Sequence, residues 1–298
     1  MSALTSLLDP RGLARLAHLQ VLARTTVEGF CSGLHRSPHK GFSVEFREHR
    51  AYVPGDEIRY LDWKIFARRD RFYIREYEEE TNVRATLLLD ASGSMGYGSG
   101  EGTKFDYAVK LAACLSYLLL RQADAVGLAA FDDKLRAYIP PRARPGHLSV
   151  LLEELARTQT GGETEPGRVL RDVAAQVHRR SLLILLSDCL GRTSDLLQGL
   201  ARLRHAHHEV VILQIWDRAE LEFPFRQWTR YESLEKSGEH RLHDPATLRE
   251  AYLKRVAEFR EELKRGCARH RVELVPLVTD QPYADALAQF LTARRRHA

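Results

Sequence analysis

The sequence predicts an α/β fold built on a doubly wound, mostly parallel sheet with one antiparallel edge strand. Three observations carry that prediction. Short, near-continuous apolar runs alternate with helical segments, the pattern of parallel strands covered on both faces. One connection, Asp132-Asp133-Lys134, is too brief for a crossover helix, so the strands on either side of it pair antiparallel. The 298 residues combine 44% hydrophobic with 29% charged side chains, a globular composition. A chain of this length buries roughly three quarters of its unfolded surface and needs neither disulfide nor metal to fold.

Residues 1–82 read as an N-terminal subdomain: an amphipathic helix over about 13–31, then a stretch over 45–80 dense in Arg, acids and aromatics around the turn Val53-Pro-Gly-Asp56. Residues 83–298 form the Rossmann-like sheet domain. Its first strand, 85–90, is apolar apart from Thr86 until Asp90, and a Gly/Ser loop leads to a helix over 105–121, whose stretch Leu111 to Leu120 is apolar nearly all round and hence buried. Strand 125–131 and the antiparallel edge strand 135–139 follow. Helices over 147–158 and 166–179 lead to strand 181–187, which the order of crossovers places beside the first. A helix over 194–205 and a strand over 209–216 come next. An insertion at about 218–244, with Leu221-Glu-Phe-Pro-Phe225, Trp228 and Tyr231, reads as a small hairpin. Asp244-Pro245 supplies a capping carboxylate and a first-turn proline for a helix to about 267, before strand 272–278 and a last helix over 283–293.

Charge and cysteine content exclude several classes. Lys and Arg number 45 against 40 Asp and Glu, a net +5 that is interspersed rather than clustered and gives no argument for nucleic acid. Cys31, Cys114, Cys189 and Cys267 show no CxxC spacing and read as reduced thiols of a cytoplasmic protein. No apolar run approaches the roughly 20 residues of a membrane span, and Met1 to Pro10 lacks the plan of a secretion signal.

In open α/β sheets ligands sit at the carboxyl ends of the strands, where strand order reverses. The first strand ends there in Asp90-Ala-Ser-Gly-Ser94; Ala91 and Gly93 allow a tight turn that brings Ser92 and Ser94 toward one spot. Asp188 leaves the carboxyl end of strand 181–187, and Thr164 lies on the loop before the helix that feeds that strand. Asp90, Ser92, Ser94, Thr164 and Asp188 thus form a hard-oxygen set with only two carboxylates. Such a set suits Mg²⁺ or Mn²⁺ with retained waters, not Zn²⁺ or a carboxylate-rich Ca²⁺ cage. An ion so weakly neutralised keeps room for an external carboxylate, which makes the site a recognition device for a partner's Asp or Glu.

The pattern Asp90-x-Ser92-x-Ser94 with Thr164 and Asp188 downstream resembles the metal-ion-dependent adhesion site of von Willebrand factor type A domains, as does the strand and helix succession. More specifically, the string Arg50-Ala-Tyr-Val-Pro-Gly-Asp-Glu-Ile-Arg-Tyr-Leu-Asp-Trp-Lys64, with Ala67-Arg-Arg69 and Tyr77-Glu-Glu-Glu80, resembles the bacterial domain-of-unknown-function family number 58. The resemblance implies a non-enzymatic accessory or adaptor protein beside a MoxR-type AAA+ ATPase in protein maturation or assembly, with the five residues as Mg²⁺ ligands. Glu163 stands between the Gly pair and Thr164, where the related pattern reads Gly-Gly-Thr, so the third hydroxyl is either Thr164 on a longer loop or Thr160.

Two other classes compete. A serine hydrolase would use Ser94 as nucleophile, Asp188 as acid and His205, His207 or His208 as base, but Ser92 stands where a small Gly is wanted. A nucleic-acid reading rests on Arg47, Arg50, Arg59, Arg68, Arg69, Arg71 and Arg75 among aromatics; the acids interleaved with them favour an ion-paired subdomain instead. The loop Gly96-Tyr-Gly-Ser-Gly-Glu-Gly-Thr-Lys104 matches no phosphate-binding spacing and is expected to be a flexible loop beside the metal.

Overall fold

The computed structural model describes residues 10–36, 50–51, 73–74, 83–162, 166–177, 179–226, 229–232, 234, 240–243 and 245–295. The chain divides into two compact units, residues 1–33 with 83–298, and residues 34–82. In the smaller unit the described residues are two short antiparallel strands, β1 (Arg50–Ala51) and β2 (Tyr73–Ile74). The rest of segment 45–80, including most of the string that carries the family resemblance, lies outside the described residues.

The larger unit begins with helix α1 (Pro10–Arg36) and continues through β3 (Arg84–Asp90), α2 (Lys104–Arg121), β4 (Ala125–Phe131) and β5 (Leu135–Arg142). Helices α3 (His147–Arg157) and α4 (Pro166–Gln176) precede β6 (Leu182–Ser187), then α5 (Thr193–His205), β7 (Glu209–Trp216) and the short α6 (Arg218–Glu222). The hairpin β8 (Thr229–Glu232) and β9 (His240–His243) occupies the expected insertion, and α7 (Pro245–Arg269), β10 (Glu273–Val278) and α8 (Tyr283–Arg295) complete the chain. Pro245 opens α7 as expected; Asp244, its expected cap, lies outside the described residues.

Six strands form one sheet in the order β10-β7-β6-β3-β4-β5, parallel throughout except for the β4–β5 pair. This is the predicted doubly wound α/β class with its antiparallel edge. The chain runs outward from β3 to the β5 edge and returns on the other side of β3 as β6, so the order reverses between β3 and β6. Period-two alternation divides the strand side chains between two cores. Leu87, Leu89, Ile184 and Leu186 pack on one face with α2, α3 and α8; Leu88, Leu183 and Leu185 pack on the other with α4, α5 and α7. Each fully buried leucine contributes about 1.5–3 kcal/mol.

Helix α1 is longer than the 13–31 expected. Its residues Leu19, Ala23 and Val27, spaced by one helical turn, are buried in the first of these cores. Tyr117 of α2 donates to Glu28 at 3.2 Å, and Arg15 donates to the Ala156 carbonyl at 3.2 Å. The helix grouped by sequence with residues 1–82 therefore shares the sheet unit's core, because its apolar stripe is buried there. Strand β5 also outruns its expected end at 139: Pro140 and Pro141 continue it, as an outer strand permits.

Gly127 marks the closest backbone approach in the sheet. The β4–β5 register slips between Val126 and Leu128, and a Cβ at Gly127 would lie 2.6 Å from the Ile139 carbonyl oxygen and 2.8 Å from the Pro141 nitrogen. Gly127→Ala is expected to destabilise the protein by roughly 1–3 kcal/mol, because backbone rather than a yielding side chain must move. Urea unfolding midpoints of the two proteins measure it, and equal midpoints contradict the packing argument.

Candidate functional site

The site grows from the end of the central strand. Asp90, the last residue of β3, is fully buried. Its Oδ1 accepts from the Ser92 backbone N–H at 2.9 Å, which curls the loop back on itself. Its Oδ2 accepts from the Ser187 hydroxyl at 2.6 Å, which ties β3 to β6 at the point where strand order reverses. Ala91 donates to the Phe131 carbonyl at 2.6 Å, after which residues Gly93–Gly96 form a single 3-10 turn. That turn brings the Ser92 and Ser94 hydroxyls to 3.2 Å from each other, Ser92 buried and Ser94 half-buried. The predicted convergence of Asp90, Ser92 and Ser94 is present.

The second carboxylate, Asp188, is also fully buried, one residue beyond β6. Oδ1 accepts from the Leu190 N–H at 2.9 Å, and Oδ2 receives the Lys104 ammonium at 2.7 Å. Lys104, the first residue of α2, is itself fully buried and reaches Glu220 of α6 with a second 2.7 Å contact. Glu220 accepts from the Asp217 N–H at 2.9 Å, completing a capping box on α6. Asp217 in turn holds the glycine-rich loop, accepting from the Ser99 N–H at 2.9 Å and the Ser99 hydroxyl at 2.5 Å. The loop expected to be flexible is thus tied down at its middle. Cys189, just after Asp188, adopts a left-handed backbone (φ 60°), strained for a residue with a side chain, and its N–H donates to the Ser187 hydroxyl at 2.8 Å.

A third segment closes the rim. Gly161 donates to the Ala91 carbonyl at 2.9 Å, and Gly93 donates to the Gly162 carbonyl at 3.0 Å, so residues 161–162 are stitched to the serine loop. Gly162 has φ +84°, and a Cβ there would lie 2.8 Å from Asp132 Oδ2. Asp132 is buried and pairs with Arg136, which donates to the carbonyls of Gln159 at 2.9 Å and Gly161 at 2.8 Å. Thr160 is exposed, and its hydroxyl faces Gly96 of the turn. Thr164 lies outside the described residues.

Electrostatically the centre holds more buried carboxylate than positive charge, with Lys104 against Asp90, Asp188 and Glu220. Burial, with the charge of Asp188 next in size, pushes the Asp90 carboxyl up to about 6 against the bonds from Ser187 and Ser92. Burial alone would discharge Lys104, but Asp188 and Glu220 together hold it above its ordinary range, so the ammonium form persists. Among the described residues no cationic side chain contacts Asp90, and no three His, Cys, Asp or Glu side chains gather into a metal cluster. A cation here would rest on two carboxylates and serine hydroxyls. That donor set fits Mg²⁺ or Mn²⁺, and the uncompensated buried charge of Asp90 is the observation that favours one.

Sequence reasoning missed Ser187, Lys104, Asp217 and Glu220. Ser187 carries a weak signal, a hydroxyl ending an otherwise apolar strand; nothing marks Lys104 or Glu220 as ion partners. The hydrolase constellation is not assembled. His205, His207 and His208 lie between α5 and β7, at the amino end of that strand, while Ser94 and Asp188 sit at the carboxyl edge, roughly 20 Å away along the sheet. The thiol of Cys114 is buried in the core and pushed up to about 12 by that burial. No helix among the described residues is long and apolar enough to cross a membrane.

The sequence profile of the family described as "Protein of unknown function DUF58" matches residues 48–273. An uncharacterised protein of Mycobacterium tuberculosis is 25% identical over 299 aligned residues, covering 97% of this chain and 92% of that protein. The uncharacterised protein YeaD of Bacillus subtilis is 29% identical over 118 residues, 40% of this chain and 27% of its own length. Similar solved structures include BatB from Bacteroides thetaiotaomicron, with 14% identity and a TM-score of 0.47 over 72% of this chain and 99% of that one. Another is the SpRpn10 VWA domain, with 12% identity and a TM-score of 0.37 over 70% and 95%.

The raised carboxyl of Asp90 sets a pH dependence. Its contribution to stability is complete below the ordinary value of 3.8 and is lost as pH rises through about 6, where the buried group must ionise. In chelator, Asp90→Asn is therefore expected to melt above the wild-type protein at neutral pH, by on the order of a few kcal/mol. The difference should shrink as pH falls toward 4. Melting curves across that range measure it; a pH-independent difference would exclude Asp90 as the source.

Proposed function

The chain belongs to the DUF58 family of proteins of unknown function, and on that premise we propose that the carboxyl edge of its sheet is a Mg²⁺-dependent protein-recognition site. The observation that carries the reading is the fully buried Asp90 carboxylate, without a cation of its own, beside two adjoining serine hydroxyls and a second buried carboxylate. Asp90, Ser92, Ser94 and Asp188 would hold the ion, directly or through water, with Thr160 or Thr164 as the further hydroxyl. Mg²⁺ or Mn²⁺ supplies a Lewis-acidic centre that the protein neutralises only in part.

The chain's own residues do the rest. Ser187 and the Ser92 N–H fix both oxygens of Asp90, so the carboxylate cannot rotate away from the edge. The short 3-10 turn holds the serine pair together, and the Arg136 contacts hold the facing loop. A partner's Asp or Glu side chain would complete the coordination. The family resemblance points to a MoxR-type AAA+ ATPase or its client as that partner, with this chain as a non-enzymatic accessory factor. No residue described at the edge supplies a base to Ser94, which sets the hydrolase reading behind this one.

Mg²⁺ or Mn²⁺ should raise the melting temperature by mass action, about 2.7 kcal/mol at a hundredfold excess over Kd. Asp90→Ala should abolish the rise while retaining the native circular dichroism spectrum. A rise that survives the substitution would place the ion elsewhere. For the partner, the chain immobilised in Mg²⁺ should retain a MoxR-type ATPase that EDTA releases; retention in EDTA would refute a contact bridged by the ion.

A further inference from the structure

Lys104 is the one positive side chain at this centre that the structure shows wholly buried, and it contacts two carboxylates rather than one. A lysine in that position is costly to bury unless its charge is used. The buried charges can be counted. Asp90, Asp188 and Glu220 are opposed by Lys104 alone, leaving two negative charges in excess. Asp217, the next group along, adds a further negative charge, held below the usual carboxylate range against burial by the Ser99 and Ala219 donors and by the Lys104 charge. Asp132 is matched by Arg136.

We propose that Lys104 is a resident counter-ion that sets the cation affinity of the Asp90–Asp188 site and lowers the negative charge left on the ion-loaded site, so that an external carboxylate can approach it. The inference rests on the metal reading above. Lys104 occupies one oxygen of Asp188 and repels a cation placed beside that carboxylate. Glu220 opposes this by drawing the same ammonium toward α6. Without Lys104 the loaded site would keep one more negative charge and discourage an acidic partner. With it, that charge is offset beside Asp188. Lys104 is a positioning residue in this scheme, because it acts on the ion through Asp188.

The two neighbours of Asp188 therefore predict opposite effects, which a purely structural role for the ion pair would not produce. Binding to the full chain is measured by Mg²⁺ calorimetry and by electron paramagnetic resonance of Mn²⁺, at mildly alkaline pH. Lys104→Met should tighten ion binding roughly tenfold or more, and Glu220→Gln should weaken it by a similar factor. Glutamine keeps an oxygen to accept the Asp217 N–H, so the α6 cap survives. If Lys104→Met does not fold, Glu220→Gln decides alone: weaker binding upholds the role, and unchanged or tighter binding overturns it. Variants that shift together, or not at all, while the wild type binds, refute the counter-ion role only. A wild-type chain that binds neither ion refutes the metal reading, and this inference with it.

Discussion

Asp90 is buried at the end of β3, and burying a carboxylate there takes a charge out of water in the middle of a sheet whose neighbouring strands are also buried. Its two oxygens cannot be left unpaired, and the local architecture follows from how they are met. One bond folds the chain into the turn that pairs Ser92 with Ser94; the other reaches Ser187 and fastens β3 to β6. Those two strands are where the winding order divides, so no helix crosses between them at that end. At the opening that doubly wound sheets leave for ligands stand two carboxylates and serine hydroxyls.

Around this centre the charges form a continuous series of contacts. Asp188 holds Lys104, Lys104 holds Glu220, Glu220 caps the helix that Asp217 begins, and Asp217 grips Ser99 in the glycine-rich loop. Four contacts thus link the end of β6, α2, α6 and the loop after β3, regions far apart in sequence. Buried ion pairs add little net stability against apolar substitutes, but breaking one side of such a pair is costly. The arrangement is better understood as fixing geometry than as adding stability. With the burial of Met95 in the core, it holds the glycine-rich loop after β3 beside the site.

Much of this was legible in the sequence and some was not, for physical reasons. The strands of the sheet announce themselves because parallel strands buried on both faces are near-continuously apolar, as in residues 87–89 and 182–186. The order of β3 and β6 followed from the connection lengths, and the Asp90, Ser92 and Ser94 grouping from their spacing on a tight turn. The packing of α1 into the sheet unit was not legible, since an amphipathic stripe states that a helix is buried but not against what. Lys104 was invisible for a different reason. Lysine at a helix start is ordinarily solvated, and its burial depends on Asp188 and Glu220, 84 and 116 residues away. Glu220 sat in a segment that reads as an irregular insertion; its spacing from Asp217 marks a helix cap, but its role as ion partner had no local signature.

The rigidity of the edge bears on what kind of recognition it can support. Asp90, Ser187 and Asp188 sit on or directly beyond strands whose neighbours fix them, and the serine turn is stitched to residues 161–162 by two backbone bonds. A ligand that needs these groups in place finds them ordered beforehand, which lowers the entropic cost of binding. Lys104 belongs to the same fixed set, its ammonium fully buried and held at 2.7 Å by Asp188 and by Glu220. The apolar cores on either side offer no second packing to adopt, so the polar groups at the edge keep the positions the sheet gives them.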